Sequence, residues 1–391
     1  MNKALEWSLE IQNEISMWRR ELHKIPELGL NLPQTTAFIT AKLDEWGVNY
    51  TVCKNCTGVV ALLGKAGGKC IALRADMDAL PIKEETGVEY ASTNENMHAC
   101  GHDAHAAMLL GVAKVLKDHE DQLNGYVKLF FQPGEEGPGG APVMIEEGCM
   151  ENPHVDAIYA IHVTEVEEGM KPGDIRLMYG DVSAADDQFD LYVKGRGGHG
   201  SVPHTAKDPI KPACELVLKL ASLPSNAIDA QDPIVFSTCS IVAGTAPNII
   251  PNEAVIMGTV RYFNKDLTQP IFDWLENISE CVCKSYGVER EMDYMFDPMI
   301  PVVNDPEATK IAQKVATEMG MEIFTEGKGM GSDDMAIVLD SFPGFYVNLG
   351  CANEAKGFGH VANHNSCFDI DEDALVYGTE FLMKSAFELL K

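Results

Sequence analysis

The residues with the most chemistry in them are packed into Met97-His98-Ala99-Cys100-Gly101-His102-Asp103-Ala104-His105. A thiol, a carboxylate and three of the chain's 11 histidines fall in this one stretch. Thiolate and imidazole are the donors a borderline-soft divalent cation prefers. Cys100 and His102 are two apart, so on an extended backbone their side chains share a face. Asp103 stands where the apolar run that continues to Lys117 would take its helix N-cap.

A second group is Pro133-Gly134-Glu135-Glu136-Gly137-Pro138-Gly139-Gly140, at the end of the apolar run Tyr126–Gln132. Neighbouring carboxylates on an extended backbone point opposite ways, so one can hold a cation while the other faces a water as general base. His162 ends the apolar run Ala157–Val163, the strand edge where α/β sheets place ligand-binding groups. Asp76 and Asp78 close the run Cys70–Ala75 at period-two spacing; they suit ligands, partners that orient a ligating histidine, or turn formers. Near the C-terminus His360 and His364 are both candidates, and the residues alone do not choose between them. Gly195-Arg196-Gly197-Gly198-His199-Gly200 fits the dinucleotide-binding spacing, which makes a nicotinamide-linked oxidoreductase the competing enzyme class. Pro203 and Pro209 delay any helix after it, and a flexible backbone around a working His199 explains the glycines equally well. Asn248 lies in the following Gly244–Pro251 loop, and Arg261 is the cation best suited to clamp a substrate carboxylate. Cys53-x-x-Cys56 is half a zinc pattern or a redox pair, with no second pair at zinc spacing.

The elements that must position these groups alternate. Helices are expected over Ser8–Lys24, Pro33–Trp46 (with Gly47 as C-cap) and Ala104–Lys117. Buried strands are expected over 58–64 and 70–75, closing a hairpin, then over Tyr126–Gln132 and Ala157–Val163. After about Gly180 the pattern changes to long antiparallel strands with helices near 208–222 and 267–286 among them. From Asp305 the strand–helix alternation returns. This predicts an α/β domain, a sheet flanked by helices, from 1–181 and 295–391, with an α+β domain of 182–294 inserted into it.

Composition narrows the function classes. The 391 residues exceed what one core usually holds, so two domains are expected. The formal net charge of −29 opposes nucleic acid or an anionic membrane as partner. The N-terminus lacks the apolar run of a signal peptide, and no apolar stretch is long enough to span a bilayer. Eleven cysteines, an odd number, fit reduced thiols in a cytoplasm better than a disulfide framework.

Taken in order, Arg19–Glu27, Leu73–Pro81, Cys100-Gly-His102-Asp103, Glu135–Gly140, Gly195–His204, Gly244–Pro251, Gly331-Ser-Asp-Asp334 and His364 resemble the di-metal amidohydrolases that cleave N-acyl amino acids. These include hippurate hydrolases, indoleacetyl-amino-acid hydrolases and N-acetyldiaminopimelate deacetylases, relatives of the aminoacylase and carboxypeptidase-G-type metallopeptidases. The resemblance implies a metallopeptidase-like catalytic domain with a lid and dimerisation domain inserted, in a cytoplasmic homodimer. It implies that Cys100, His102, Glu136, His162 and His364 hold two divalent cations, Mn²⁺ or Zn²⁺ first and Co²⁺ or Ni²⁺ next, with Cys100 bridging. Glu135 would be the general base and His199, from a partner subunit, the oxyanion donor. Asn248 and Arg261 would bind substrate, and Asp78 and Asp103 would support the ligands. A dipeptidase or carboxypeptidase of the same superfamily is the alternative. The chain departs from the pattern at Asp76, where the wider superfamily has a ligating histidine, and at Gly134, Asn363 and Ser366.

Overall fold

The computed structural model describes residues 3–164, 169–295 and 300–391. In chain order the elements begin with α1 (Lys3–Glu10), α2 (Gln12–His23), α3 (Pro33–Trp46), β1 (Asn49–Val52), β2 (Val59–Gly64) and β3 (Cys70–Asp76). Then come α4 (His102–Asp118), β4 (Tyr126–Gln132), α5 (Gly140–Glu146), β5 (Ala157–Thr164), β6 (Ile175–Arg176) and β7 (Gly180–Ser183). The middle of the chain forms β8 (Ala185–Lys194), β9 (Gly198–His199), α6 (Ile210–Leu220), α7 (Leu223–Asn226), β10 (Ile234–Ala243), β11 (Ile249–Ile250), β12 (Glu253–Tyr262), α8 (Thr268–Tyr286) and β13 (Glu289–Met295). The last part adds β14 (Val302–Asn304), α9 (Pro306–Met319), β15 (Ile323–Phe324), α10 (Met335–Ser341), β16 (Gly344–Gly350) and α11 (Ala374–Leu389).

The chain divides into two compact units, one of Met1–Val182, Val303–Gly327 and Asp333–Lys391, the other of Ser183–Val302 and Lys328–Ser332. The expected return to the first domain at residue 295 is thus displaced to Val303, because all of β13 pairs with β8 in the second unit. Residues 296–299, next to that expected boundary, lie outside the described residues.

The first unit is built on a mixed sheet in the order β1-β2-β4-β3-β5-β16-β6-β15. Strands β4, β3, β5 and β16 are parallel, and they are buried on both faces, as strands covered by helices on each side must be. The expected hairpin between β2 and β3 does not form, because β4 lies between them. The glycines at the ends of that loop make room for it: a Cβ on Gly64 would sit 2.1 Å from the Gly125 carbonyl oxygen, and one on Gly68 1.8 Å from that of Asn124. The expected first helix is two, α1 and α2, broken at Ile11. Helix α4 is apolar nearly all round and packs inside the main core, with Ile15 and Leu22 of α2 and Leu375 and Phe381 of α11 in the same cluster.

In the second unit β10-β12-β8-β13 form an antiparallel sheet. Burial alternates along β8 and β12, so one face is covered, and Leu216 and Leu220 of α6 and Ile271 and Leu275 of α8 share its core. A short ribbon, β9 with β11, pairs His199 with Ile249.

Candidate metal-binding corner

Strand β3 has β4 on one side and β5 on the other, so the chain leaves β3 in one direction and later returns to its opposite flank. Such a reversal opens a crevice at the carboxyl ends of parallel strands. Asp76 ends β3, Glu135 and Glu136 follow β4, and His162 stands near the end of β5. The N-terminus of α4 brings Cys100 and His102 to the same edge.

Cys100 and His102 come together through a bend rather than an extended strand. Gly101, the N-cap of α4, has φ 89°, and a Cβ there would sit 2.3 Å from Val163 Cγ2. Asp103 is therefore not the cap. It lies in the first turn, where Arg19 Nε donates to its Oδ2 at 2.8 Å and His23 Nδ1 stands 2.8 Å from the same oxygen. Burial opposes the charge on Asp103, but Arg19 and His23 hold its pKa well below the usual carboxylate range. Asp103 thus braces α4 against α2 and reaches the corner only through the helix.

The ring orientations of the two buried histidines are set from behind. His102 Nδ1 lies 3.0 Å from the Asp78 carbonyl, and His162 Nδ1 lies 2.8 Å from that of Val163. A carbonyl only accepts, so each ring carries a proton on Nδ1 and turns Nε2 inward. His162 Nε2 is 3.3 Å from Cys100 Sγ. His102 Nε2 is buried without a hydrogen-bond partner. His105 also points here, but its Nε2 accepts from Val163 N at 2.9 Å and its Nδ1 bonds Asp76, so both nitrogens are committed. His98 is fully buried, which lowers its pKa to about 3.

Asp78 organises the glutamates. Its two carboxylate oxygens accept from the Glu135 and Glu136 amides at 3.1 and 3.0 Å, and its carbonyl meets His102. The glutamates occupy a turn, where strand alternation does not apply, and so they converge rather than oppose. Glu135 Oε2 and Glu136 Oε1 approach His102 Nε2 at 3.8 and 4.0 Å. Asp76 is tied to His105 and, at 2.7 Å, to Arg74 Nη1. The buried Arg74 also reaches Asp334 at 2.8 Å and Gln132 at 3.0 Å. Sequence reasoning gave Arg74, Arg19 and His23 no role; a single arginine inside the apolar strand Cys70–Asp76 was the available signal.

Of the late histidines, His364 is the one at the corner. Its Nε2 is 3.2 Å from Glu136 Oε1, and its amide donates to the Ala99 carbonyl at 2.7 Å. The residue is held at φ 66°, a costly conformation for a non-glycine residue and of a kind that clusters at functional sites. Asn363 donates to the Cys100 carbonyl at 3.1 Å and ties the same loop down.

The donor atoms fall into overlapping groups, each with all members within 4.8 Å: Cys100 with His102 and His162, Cys100 with Glu136 and His364, and His102 with Glu135 and Glu136. Burial pushes the Cys100 thiol pKa up. Burial, with Asp333 next, raises that of Glu135 well above the usual range. Burial would lower His102, yet Asp76 and Cys100 carry it well above its usual value. Burial, with His105 next, drives His162 down. Burial thus works against charge on all four groups, and only at His102 do the neighbouring Asp76 and Cys100 outweigh it.

The second unit treats its candidates differently. His199 and Asn248 are exposed on the β9–β11 ribbon, where Gly200 N donates to the Asn248 carbonyl at 2.9 Å and Ser201 N donates to His199 Nδ1 at 3.1 Å. Arg261 is at the other end of the sheet, since Glu253 pairs with Lys194 next to the ribbon and Arg261 with Asp186 at the far end of β8. Its guanidinium is committed to Asp186 at 2.9 Å. This unit therefore does not gather its three candidates. Gly195–Gly200 opens no long helix; a Cβ on Gly195 or Gly197 would meet the carbonyl oxygen of Lys207 or Ile250 at 2.2 or 2.6 Å, so these glycines serve close backbone packing.

Comparison with known proteins agrees with this architecture. A thermostable carboxypeptidase 1 of Saccharolobus solfataricus is 37% identical over 374 residues, 94% of this chain and 93% of that one. An N-acetyl-L-cysteine deacetylase of Bacillus subtilis is 34% identical, covering 95% and 87%. The crystal structure of the Bacillus subtilis YXEP protein, described as a dinuclear metal-binding peptidase of family M20, superimposes with TM-score 0.82 at 30% identity over 100% and 99% of the two chains. The sequence pattern of peptidase family M20/M25/M40 matches residues 72–388, and the chain belongs to that family.

Proposed function

We propose that this chain is a metal-dependent amidohydrolase that cleaves the amide bond of N-acyl amino acids. One observation carries the reading: the inward Nε2 atoms of His102 and His162 meet Cys100 in one donor group, and the same sulfur belongs to the group of Glu136 and His364. The buried, unpartnered His102 Nε2 and the thiol–imidazole–carboxylate donor set fit divalent cations. Cys100, His102, Glu136, His162 and His364 would hold two of them, and Mn²⁺ or Zn²⁺ matches these donors best. When bound, such cations lower the pKa of water and polarise a carbonyl.

The chain's own residues then divide the work. Glu135, aimed by the Asp78 carboxylate on its amide, takes the proton of the attacking water at its carboxylate and later gives it to the leaving nitrogen. Asp78 keeps His102 and both glutamates in register. His199, supplied by a partner subunit, would donate to the developing oxyanion. Asn248 would hold the substrate amide or carboxylate, whereas Arg261 must first leave Asp186 to do so. Pairing of two copies through the edge strand β10, which exposes Val235, Ile241 and Val242, would form the homodimer.

The deciding experiment screens N-acetyl, N-benzoyl and indoleacetyl amino acids and unblocked dipeptides against enzyme reconstituted with each metal. Chelator-reversible hydrolysis of the N-acyl compounds is expected. Faster cleavage of dipeptides would transfer the assignment to a dipeptidase or carboxypeptidase. Elemental analysis of His364→Ala should show metal loss, and unchanged occupancy would remove His364 from the ligand set.

A further inference from the structure

The Cys53-x-x-Cys56 pair, which the hydrolytic site does not use, meets a third thiol in the folded chain. The pair occupies the β1–β2 loop, on the flank of the sheet two strands from β3. Cys149, in the turn after α5, places its Sγ 3.6 Å from that of Cys53. Cys53 Sγ, Cys56 Sγ and a Glu147 carboxylate oxygen all lie within 4.8 Å of one another. Cys56 is buried, while Cys53 and Cys149 are half-buried at the wall of a cavity of about 340 Å³.

The loop around these sulfurs is built rather than incidental. Cys53 N donates to the Gly58 carbonyl at 2.8 Å and closes the loop. Gly58 N donates to Cys56 Sγ at 3.4 Å, a bond that favours a thiolate. Lys54 N and Asn55 N donate to the two oxygens of Glu147 at 2.7 and 2.6 Å, so the carboxylate caps the Cys-x-x-Cys turn and retains lone pairs beyond those bonds. Lys128 Nζ donates to the Cys149 carbonyl at 2.7 Å and fixes the opposing turn.

We infer that Cys53, Cys56 and Glu147, with Cys149 in contact with Cys53, form a second and separate metal site that takes one zinc-like, thiophilic divalent cation. A Zn–S bond of about 2.3 Å in a tetrahedral shell sets neighbouring sulfurs about 3.8 Å apart. The Cys53–Cys149 separation of 3.6 Å matches that edge, whereas a disulfide would need an approach to about 2.0 Å. A donor set led by cysteine sulfur disfavours Mg²⁺ and Ca²⁺ and favours Zn²⁺ over Mn²⁺. Binding releases the thiol protons to solvent and staples the β1–β2 loop to the turn after α5.

Full-length wild-type chain and Cys53→Ser/Cys149→Ser chain are each loaded with Zn²⁺, freed of loose metal by gel filtration and analysed for zinc per chain. The double variant should carry one zinc fewer and keep its corner metals. Equal zinc in the two proteins overturns the inference. Should the variant fold poorly, alkylation of wild type read by mass spectrometry replaces it: Zn²⁺ should shield Cys53, Cys56 and Cys149 together, and a chelator should expose them. Equal alkylation with and without Zn²⁺ overturns the inference, as does a Cys53–Cys149 disulfide that, once reduced, still leaves the thiols unshielded by Zn²⁺.

Discussion

The two units contrast in how they hold the residues expected to act together. In the first, buried partners stand behind several of the groups: Asp78 behind His102, Arg74 behind Asp76, and Arg19 and His23 behind Asp103 at the start of α4. In the second, His199 and Asn248 sit exposed on a two-stranded ribbon, and Arg261 is paired with Asp186 at the opposite end of the sheet. The difference teaches that the candidate metal donors are gathered within one unit of one chain, whereas the candidate substrate residues are not gathered by the other.

Four substitutions test that division. Glu135→Gln should lower kcat by up to about 10⁴-fold with metal content unchanged, as for a lost general base. If activity survives while metal stays bound, Glu135 is not the base. Arg19→Met removes one of the two cations facing the buried Asp103 charge, leaving only His23, and should destabilise the first unit by about 3–5 kcal/mol in urea melts; a wild-type midpoint would show that α4 needs no such brace. His199→Ala should cost about 10²–10³-fold in kcat, the range for a lost oxyanion donor, with metal content and Tm unchanged. Metal loss in that variant would break the proposed separation of roles. Arg261→Ala removes a partly exposed pair and should cost no more than about 1 kcal/mol of stability. A large rise in KM for this variant would restore Arg261 as a substrate clamp.

Much of the scaffold was legible because its signals are local. The start of α9 follows from Asp305, whose side chain accepts from the Glu307 and Ala308 amides, and its end from Gly320 in the left-handed region. Strand β4 and helix α3 were bounded in the same way by turn residues and by Gly47. The hairpin expectation failed because pairing is non-local: residues 124–132 enter between β2 and β3 from far along the chain. The glutamate geometry failed because a Gly/Pro turn cancels strand alternation.

By itself, then, the sequence determined the donor types, since which atoms can hold a cation or move a proton is a property of side chains. It also determined the strand and helix ends that carry them, because caps and periodicity act within a few residues. Only the tertiary structure decided how those donors are aimed. It placed Gly101 against Val163, turned both glutamates toward His102, and set Asp103 to Arg19 instead of the helix cap. It likewise brought Cys149 to Cys53 and parted Arg261 from His199. Each of these rests on a contact between residues distant in the chain or on a backbone bend, and neither spacing nor composition encodes such a contact.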